Sequence, residues 1–198
     1  MVGVTMVDEV EQIRPPLVAR LEQALAHGRP DLVVVTAGSV RDRLGLAAHR
    51  RILSAYQLTG RLSDADGADL DSALEGTARY AILARVEKNT AYTRTQGGVR
   101  LGNTGNSYGY IKLAVATRSA EVRVTLYDLR ERREVYAVVH ASSIDNVPPD
   151  SIWRLPRRPV IPDLNEPRDP KFVDPVEIPG LAETLIEGFV AFVAELPR

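Results

Sequence analysis

The chain has 198 residues, 44% of them hydrophobic and 26% charged, which is typical of a globular protein that folds without disulfides or metals. Its 25 basic and 26 acidic residues give a net charge of −1, which argues against a surface that binds nucleic acid. Cysteine is absent, and this excludes thiol catalysis, zinc–cysteine sites and disulfides. All apolar runs are far shorter than the roughly 20 residues of a membrane helix, so we expect no span.

The amino-terminal part of the chain predicts a short strand, a helix and a second strand. Val2, Val4 and Met6 alternate with small or polar residues, a pattern that favours a strand. Two prolines and a stripe of leucines predict a helix over 15–28, which ends at a glycine. The β-branched run 32–35 predicts a short buried strand.

Two further helices are predicted before residue 80. The first begins with Ser39 as its N-cap and carries its apolar face as far as Ile52. The second covers 69–76, with Asp66 or Asp69 as its cap. The acidic residues around this second helix lack the glycine spacing of a calcium-binding loop, so they indicate a helix start and no metal site.

From residue 80 onward the hydrophobic period changes to two, which is typical of strands. The segments 96–98 and 102–109 are rich in glycine and predict turns. Between 121 and 128 we expect one apolar face and one solvent face, the latter formed by Arg123, Thr125 and Tyr127. Strands are predicted over 80–87, 110–116, 121–128 and 134–144, with the last two paired as an antiparallel hairpin.

The composition changes after residue 146. Nine of the 13 prolines fall between 148 and 179, a density that predicts an extended tether over 147–178. An apolar stripe then predicts a carboxy-terminal helix over 179–196 that packs back on a core domain of 1–146. The predicted fold class is α/β (α+β), with a mostly antiparallel sheet of four or five strands packed by helices, a proline-rich tether and a carboxy-terminal helix that folds back.

The sequence contains no recognisable catalytic, cofactor or metal motif. His27, His49 and His140 lack the spacing of metal ligands, and no serine stands in a nucleophile motif. No glycine-rich phosphate loop precedes a helix. We therefore predict no catalytic residue, no cofactor and no metal ligand.

Three aromatic residues are candidates for binding a partner protein. Trp153, the one tryptophan, lies in the predicted tether, where it either pins the tether to the domain or acts as a hot spot for a partner. Tyr108 and Tyr110 stand at the edge of the glycine-rich segment. These residues are the predicted interaction site.

Several segments stand in an order that carries a family resemblance. They are LVARLEQAL at 17–25 with LVVV at 32–35, GRL at 60–62, ARYAILARVE at 78–87, and VRVTLYD at 122–128 followed by EVY at 134–136. In this order, over about residues 16–145, the chain resembles the CsgG-like superfamily of bacterial envelope lipoproteins. That superfamily includes the curli-secretion component and the penicillin-binding-protein activators.

The resemblance implies a non-enzymatic accessory lipoprotein that acts by binding another protein of the cell envelope. It implies a periplasmic location, with an outer-membrane lipid anchor upstream of residue 1, and no nucleic-acid partner. The alternative is a small cytosolic ligand-binding protein or enzyme whose site uses Tyr108, Tyr110, His140 and scattered acids.

Overall fold

A computed structural model describes residues 1–6, 14–101, 108–146 and 177–196. The predicted tether over 147–178 therefore lies almost wholly outside the described residues. Contacts divide the chain into two compact units. The first comprises Met1–Thr90, Ser119–Ser143 and Gly180–Arg198, and the second comprises Ala91–Arg118 and Ile144–Pro179.

The described residues confirm the predicted class, a mixed and mostly antiparallel sheet packed by helices. The sheet has the order β1-β2-β3-β4, in which β1 runs parallel to β2. Its strands are β1 (Gly3–Met6), β2 (Tyr80–Leu101), β3 (Tyr108–Asp128) and β4 (Arg133–Asn146). The helices are α1 (Arg14–Gly28), α2 (Ala37–Leu44), α3 (Leu46–Thr59), α4 (Asp64–Leu74), α5 (Leu181–Thr184) and α6 (Ile186–Glu195).

In the first unit, helices cover both faces of the sheet. One core cluster joins α1, α5 and α6 to even-numbered strand residues such as Val122 and Val124. The other joins α2, α3 and α4 to odd-numbered strand residues such as Leu83 and Tyr127. This arrangement is a three-layer sandwich, in which each helix buries its apolar stripe against one face of the sheet.

The carboxy-terminal helix packs back on the core, as predicted. Phe189 and Phe192 of α6 are fully buried in the cluster that contains α1. Glycine makes this close approach feasible, because a Cβ at Gly28 would lie 2.6 Å from Cγ1 of Val193. The apolar stripe of the sequence therefore predicted this packing, although the predicted helix over 179–196 divides into α5 and α6 at Leu185.

Two predicted helix caps are wrong. Thr36, and not Ser39, is the N-cap of α2, and its side chain accepts a hydrogen bond from the Ser39 amide. Ser63 caps α4 in place of Asp66 or Asp69, and it exchanges hydrogen bonds with the amide and carboxylate of Asp66. In both cases the helix starts earlier than predicted, so the predicted cap falls inside its first turns.

The predicted strand over 32–35 is also wrong. The segment is an irregular connection in which Val33 is 95% exposed, while Val34 packs against one core cluster and Val35 against the other. The chain passes here from the helices of one layer to those of the other, and the main-chain oxygen of Val35 accepts a hydrogen bond from the amino group of Met1. A four-residue apolar run fits such a crossing as well as it fits a strand.

The remaining differences concern where helices, strands and turns begin and end. The predicted helix from Ser39 to Ile52 divides into α2 and α3 at Gly45, whose φ of +79° suits glycine. The predicted turn at 96–98 lies inside β2, because glycine also adopts extended backbone. Of the predicted turn at 102–109, the first six residues lie outside the described residues and the last two belong to β3.

The sheet face predicted to meet solvent is largely buried. Thr125 and Tyr127 are 3% and 4% exposed, because α3 and α4 cover this side of β3. The hydroxyl oxygens of Tyr56 and Thr125 are 2.9 Å apart and hydrogen bonded, which allows both polar groups to be buried. The alternation of side chains between the two faces was predicted correctly, but a second layer of helices buries the face that was expected to meet solvent.

Candidate functional site

The predicted partner-binding residues fall where the structure says little. Trp153 lies outside the described residues. Tyr108 and Tyr110 lie in β3 and in the second unit, and the description does not extend to their side chains. A role for these three residues in binding therefore stays a prediction, and the described candidates for a site come from the first unit.

The described histidines are scattered. His27 Nδ1 lies 2.8 Å from the main-chain oxygen of Gln23, and His49 Nε2 lies 2.9 Å from that of Val2. His140 on β4 lies against Gly188 of α6, and its Nε2 is buried without a hydrogen-bond partner. Across the described ranges, no three residues of the metal-binding types come together. Within the same ranges, no helix is long and apolar enough to cross a membrane.

Strand β4 forms an edge of the sheet, and no described strand lies beyond it. Its even-numbered residues Tyr136 and Val138 pack against the core cluster beneath α6. Its odd-numbered residues face the opposite side, where Val135 is 38% exposed and Val139 is 47% exposed. The first unit therefore presents a strand edge beside an apolar stripe on one face of that strand.

This edge lacks the usual protection against pairing. Natural edge strands are commonly blocked by lysine, proline or an inward-pointing charge. Residues 133–143 contain neither lysine nor proline, and the stretch between Glu134 and His140 is Val-Tyr-Ala-Val-Val. An edge of this kind can accept a further strand through its main-chain N–H and C=O groups.

The turn between β3 and β4 is held by one buried carboxylate. Asp128 accepts hydrogen bonds from the amides of Arg130 and Glu131 at 2.9 and 3.1 Å, and from Nε of Arg79 at 2.9 Å. Burial raises the pKa of Asp128, but these donors outweigh it and hold the pKa below its ordinary value. Beyond them, Arg132 adopts a left-handed φ of +50°, the one such value at a non-glycine residue in the described chain.

A cleft of about 310 Å³ lies between α3 and this turn, and we call it the arginine cleft. Its floor comes from β2 and β3, and its rim comes from the segment after α3 and from the start of β4. It is lined by Tyr56, Arg61, Leu62, Leu83, Arg123, Thr125, Tyr127, Arg132, Arg133 and Glu134.

The charges of the arginine cleft are only partly balanced. Arg123 forms an ion pair with Glu134 at 3.2 Å, and Arg133 pairs with Glu131 at 2.6 Å. Arg61 and Arg132 form no ion pair within the described ranges. Burial raises the pKa of the Tyr56 hydroxyl, so it remains neutral and adds no negative charge.

Sequence reasoning missed this cleft. Of the 25 basic residues 22 are arginines, so the abundance of arginine alone marks no particular segment. The arginines of the cleft come from three separate segments, which only the fold brings together. The available signal was Arg123, a charged residue on the same predicted strand face as Thr125 and Tyr127.

The chain matches no protein-family model, no curated protein and no solved structure. Its function is therefore inferred from its surface and from the resemblance in its sequence.

Proposed function

We propose that this protein is a non-enzymatic accessory lipoprotein of the bacterial cell envelope that binds another protein by strand addition to β4. The observation that carries the proposal is the edge of β4, beyond which no described strand lies, with Val135 and Val139 exposed beside it. The resemblance to the CsgG-like superfamily supports the envelope assignment and the accessory role.

Strand addition suits this edge for two physical reasons. The main-chain groups of β4 supply hydrogen bonds to any extended segment, and the side chains beside them select its sequence. Since Val135, Ala137 and Val139 alternate along one face of β4, the matching segment carries apolar side chains at alternating positions. We therefore propose an extended, alternately apolar segment of a partner protein as the occupant.

The proposed location is periplasmic, with an outer-membrane lipid anchor upstream of residue 1. The family resemblance alone supports this part of the proposal. Expression of the native gene in its own bacterium, with fractionation and labelling by a radioactive fatty acid, tests it. A full-length product that remains in the cytoplasm without lipid would contradict the proposed location.

The binding surface can be tested with two valines of similar exposure. Val139 lies on β4 and is 47% exposed, whereas Val190 lies on α6 and is 53% exposed. A photo-reactive amino acid at either position, introduced in the living bacterium, reports which proteins lie within a few ångströms. We expect a cross-linked partner protein from position 139 and none from position 190.

The partner identified in this way is then purified for a direct measurement. We expect Val139→Lys to weaken its binding at least about tenfold, because a lysine on an edge strand opposes pairing. Val190→Lys serves as the matched control and should leave the affinity within about twofold. Equal loss in both variants, or cross-links from position 139 only to a second copy of this chain, would contradict the proposal.

A further inference from the structure

The lining of the arginine cleft has more positive than negative charge. Four arginines and one glutamate contribute to it, an excess of three positive charges in a chain whose net charge is −1. Arginine presents a planar fork of N–H donors that matches the oxygens of phosphate and carboxylate groups. The cleft therefore concentrates charge and donors suited to an oxyanion.

Polar atoms in and beside the cleft lack partners. Nε of Arg123 is buried without a hydrogen-bond partner, and so is Nε of Arg85, whose guanidinium lies against Gly60. The hydroxyl of Tyr127 is also buried without a partner, in a residue that is only 4% exposed. Buried donors without acceptors are rare in folded proteins, because each retains the cost of losing water. A ligand whose acceptor atoms reach Nε of Arg123 would remove this cost at that residue.

The backbone of the turn supports the same conclusion. Arg132 holds a left-handed conformation that glycine or asparagine adopts more readily, and its side chain lines the cleft. Unfavourable backbone conformations of this kind cluster at ligand sites, where the surrounding structure maintains them. In this turn, the hydrogen bonds that the amides of Arg130 and Glu131 donate to Asp128 supply that support.

We infer that the arginine cleft binds a small dianion that carries phosphate or paired carboxylate oxygens. Two observations determine the class of ligand. The volume of about 310 Å³ lies at the lower end of ligand pockets, which favours a small molecule. Arg61 and Arg132 form no ion pair with any described acid, so a ligand with two negative charges could pair with both. This inference does not depend on the proposed partner at β4.

The test is a calorimetric titration of the full chain with inorganic phosphate and, separately, with succinate, both at constant ionic strength. We expect saturable binding of at least one dianion with a dissociation constant of about 1 mM or lower. Binding of phosphate alone indicates a phosphoryl ligand, and binding of succinate alone indicates a dicarboxylate. The inference is overturned if neither titration saturates by about 10 mM.

Three arginine variants separate a specific site from general charge attraction. Arg61→Gln and Arg132→Asn each remove a cleft arginine, and asparagine suits the left-handed backbone at 132. Each should weaken binding about tenfold, the effect of one charge-assisted hydrogen bond. Arg130→Gln is the matched control, because Arg130 is exposed in the same turn and lines only a neighbouring cleft, whereas Arg132 lines both. If Arg130→Gln weakens binding as much as the other two, the cleft is not the site.

Discussion

Arg79 and Asp128 connect the beginning of β2 to the end of β3, through a hydrogen bond of 2.9 Å from Nε of the arginine to Oδ2 of the aspartate. The other carboxylate oxygen accepts the amides of Arg130 and Glu131, so one side chain organises both the strand pair and the turn. Asp128 is 1% exposed, so water cannot replace its carboxylate as the acceptor of these hydrogen bonds.

Two replacements of Asp128 should therefore separate the contribution of its hydrogen bonds to stability from the contribution of its charge. Asp128→Ala should lower the free energy of unfolding by about 3 kcal/mol, because both turn amides and Arg79 lose their acceptor. Asp128→Asn retains one oxygen for the amides and should cost about 1.5 kcal/mol. Urea denaturation at pH 7 measures both. Asp42→Asn, at an exposed residue that pairs with Arg41, should change stability by less than about 0.5 kcal/mol.

The same carboxylate predicts a pH dependence. Its pKa is lowered in the folded state, so its contribution to stability is present above the ordinary value near 4 and is lost as the pH falls through the folded value. The difference in stability between the parent chain and Asp128→Asn should shrink between pH 6 and pH 3. A difference that stays constant over this range would mean that the charge of Asp128 does not stabilise the turn.

We expect stability to change differently when the hydroxyl is removed from each of two buried tyrosines. Tyr56→Phe removes the hydrogen bond to Thr125 and should cost about 1 kcal/mol. Tyr127→Phe removes a buried hydroxyl without a described partner, and it should leave stability unchanged or raise it by up to about 1 kcal/mol. Thermal and urea unfolding in buffer free of phosphate and carboxylates would measure both. Equal costs for the two variants would show that the Tyr127 hydroxyl has a partner.

The packing of α6 predicts a large contrast between adjacent residues. Phe189 is fully buried and Val190 is 53% exposed. Phe189→Ala should lower the free energy of unfolding by about 3–5 kcal/mol through lost burial and a residual cavity. Val190→Ala should stay within about 0.5 kcal/mol. Similar effects at the two positions would contradict the observed packing of the carboxy-terminal helix.

The N-cap of α2 can be tested by comparing two hydroxyl residues, Thr36 and Ser39. Thr36→Ala should cost about 1 kcal/mol, since it removes the acceptor for the Ser39 amide. Ser39→Ala should remain within about 0.5 kcal/mol, because that side chain lies inside the first turn and caps nothing. A larger loss at Ser39 than at Thr36 would restore the cap predicted from the sequence.

Features that depend on one local pattern could be predicted from the sequence. Alternation over 121–128 and 134–144 identified the hairpin, and a single apolar stripe identified the carboxy-terminal helix and its packing. The caps could not be predicted in the same way, because Thr36 and Ser39 are hydroxyl residues three positions apart and a residue of this type at either position can begin a helix. Only the position of the first helical turn distinguishes them.

Features that depend on several elements could not be predicted in this way. Thr125 and Tyr127 alternate with apolar residues as an exposed face would, but a second layer of helices buries them. The arginine cleft likewise requires α3 and the hairpin turn to be adjacent. Neither arrangement leaves a periodic signal in any one segment of the chain.

The parallel pairing of β1 with β2 has a consequence for the order of folding during synthesis. Gly3 pairs with Leu83 and Met6 with Val86, so the ribosome makes β1 about 80 residues before its partner strand. At about 5–20 residues per second, this delay lasts several seconds. Throughout that time Val2, Val4 and Met6 lack the neighbouring strand, and only the helices made earlier, α1 and α3, can pack against β1.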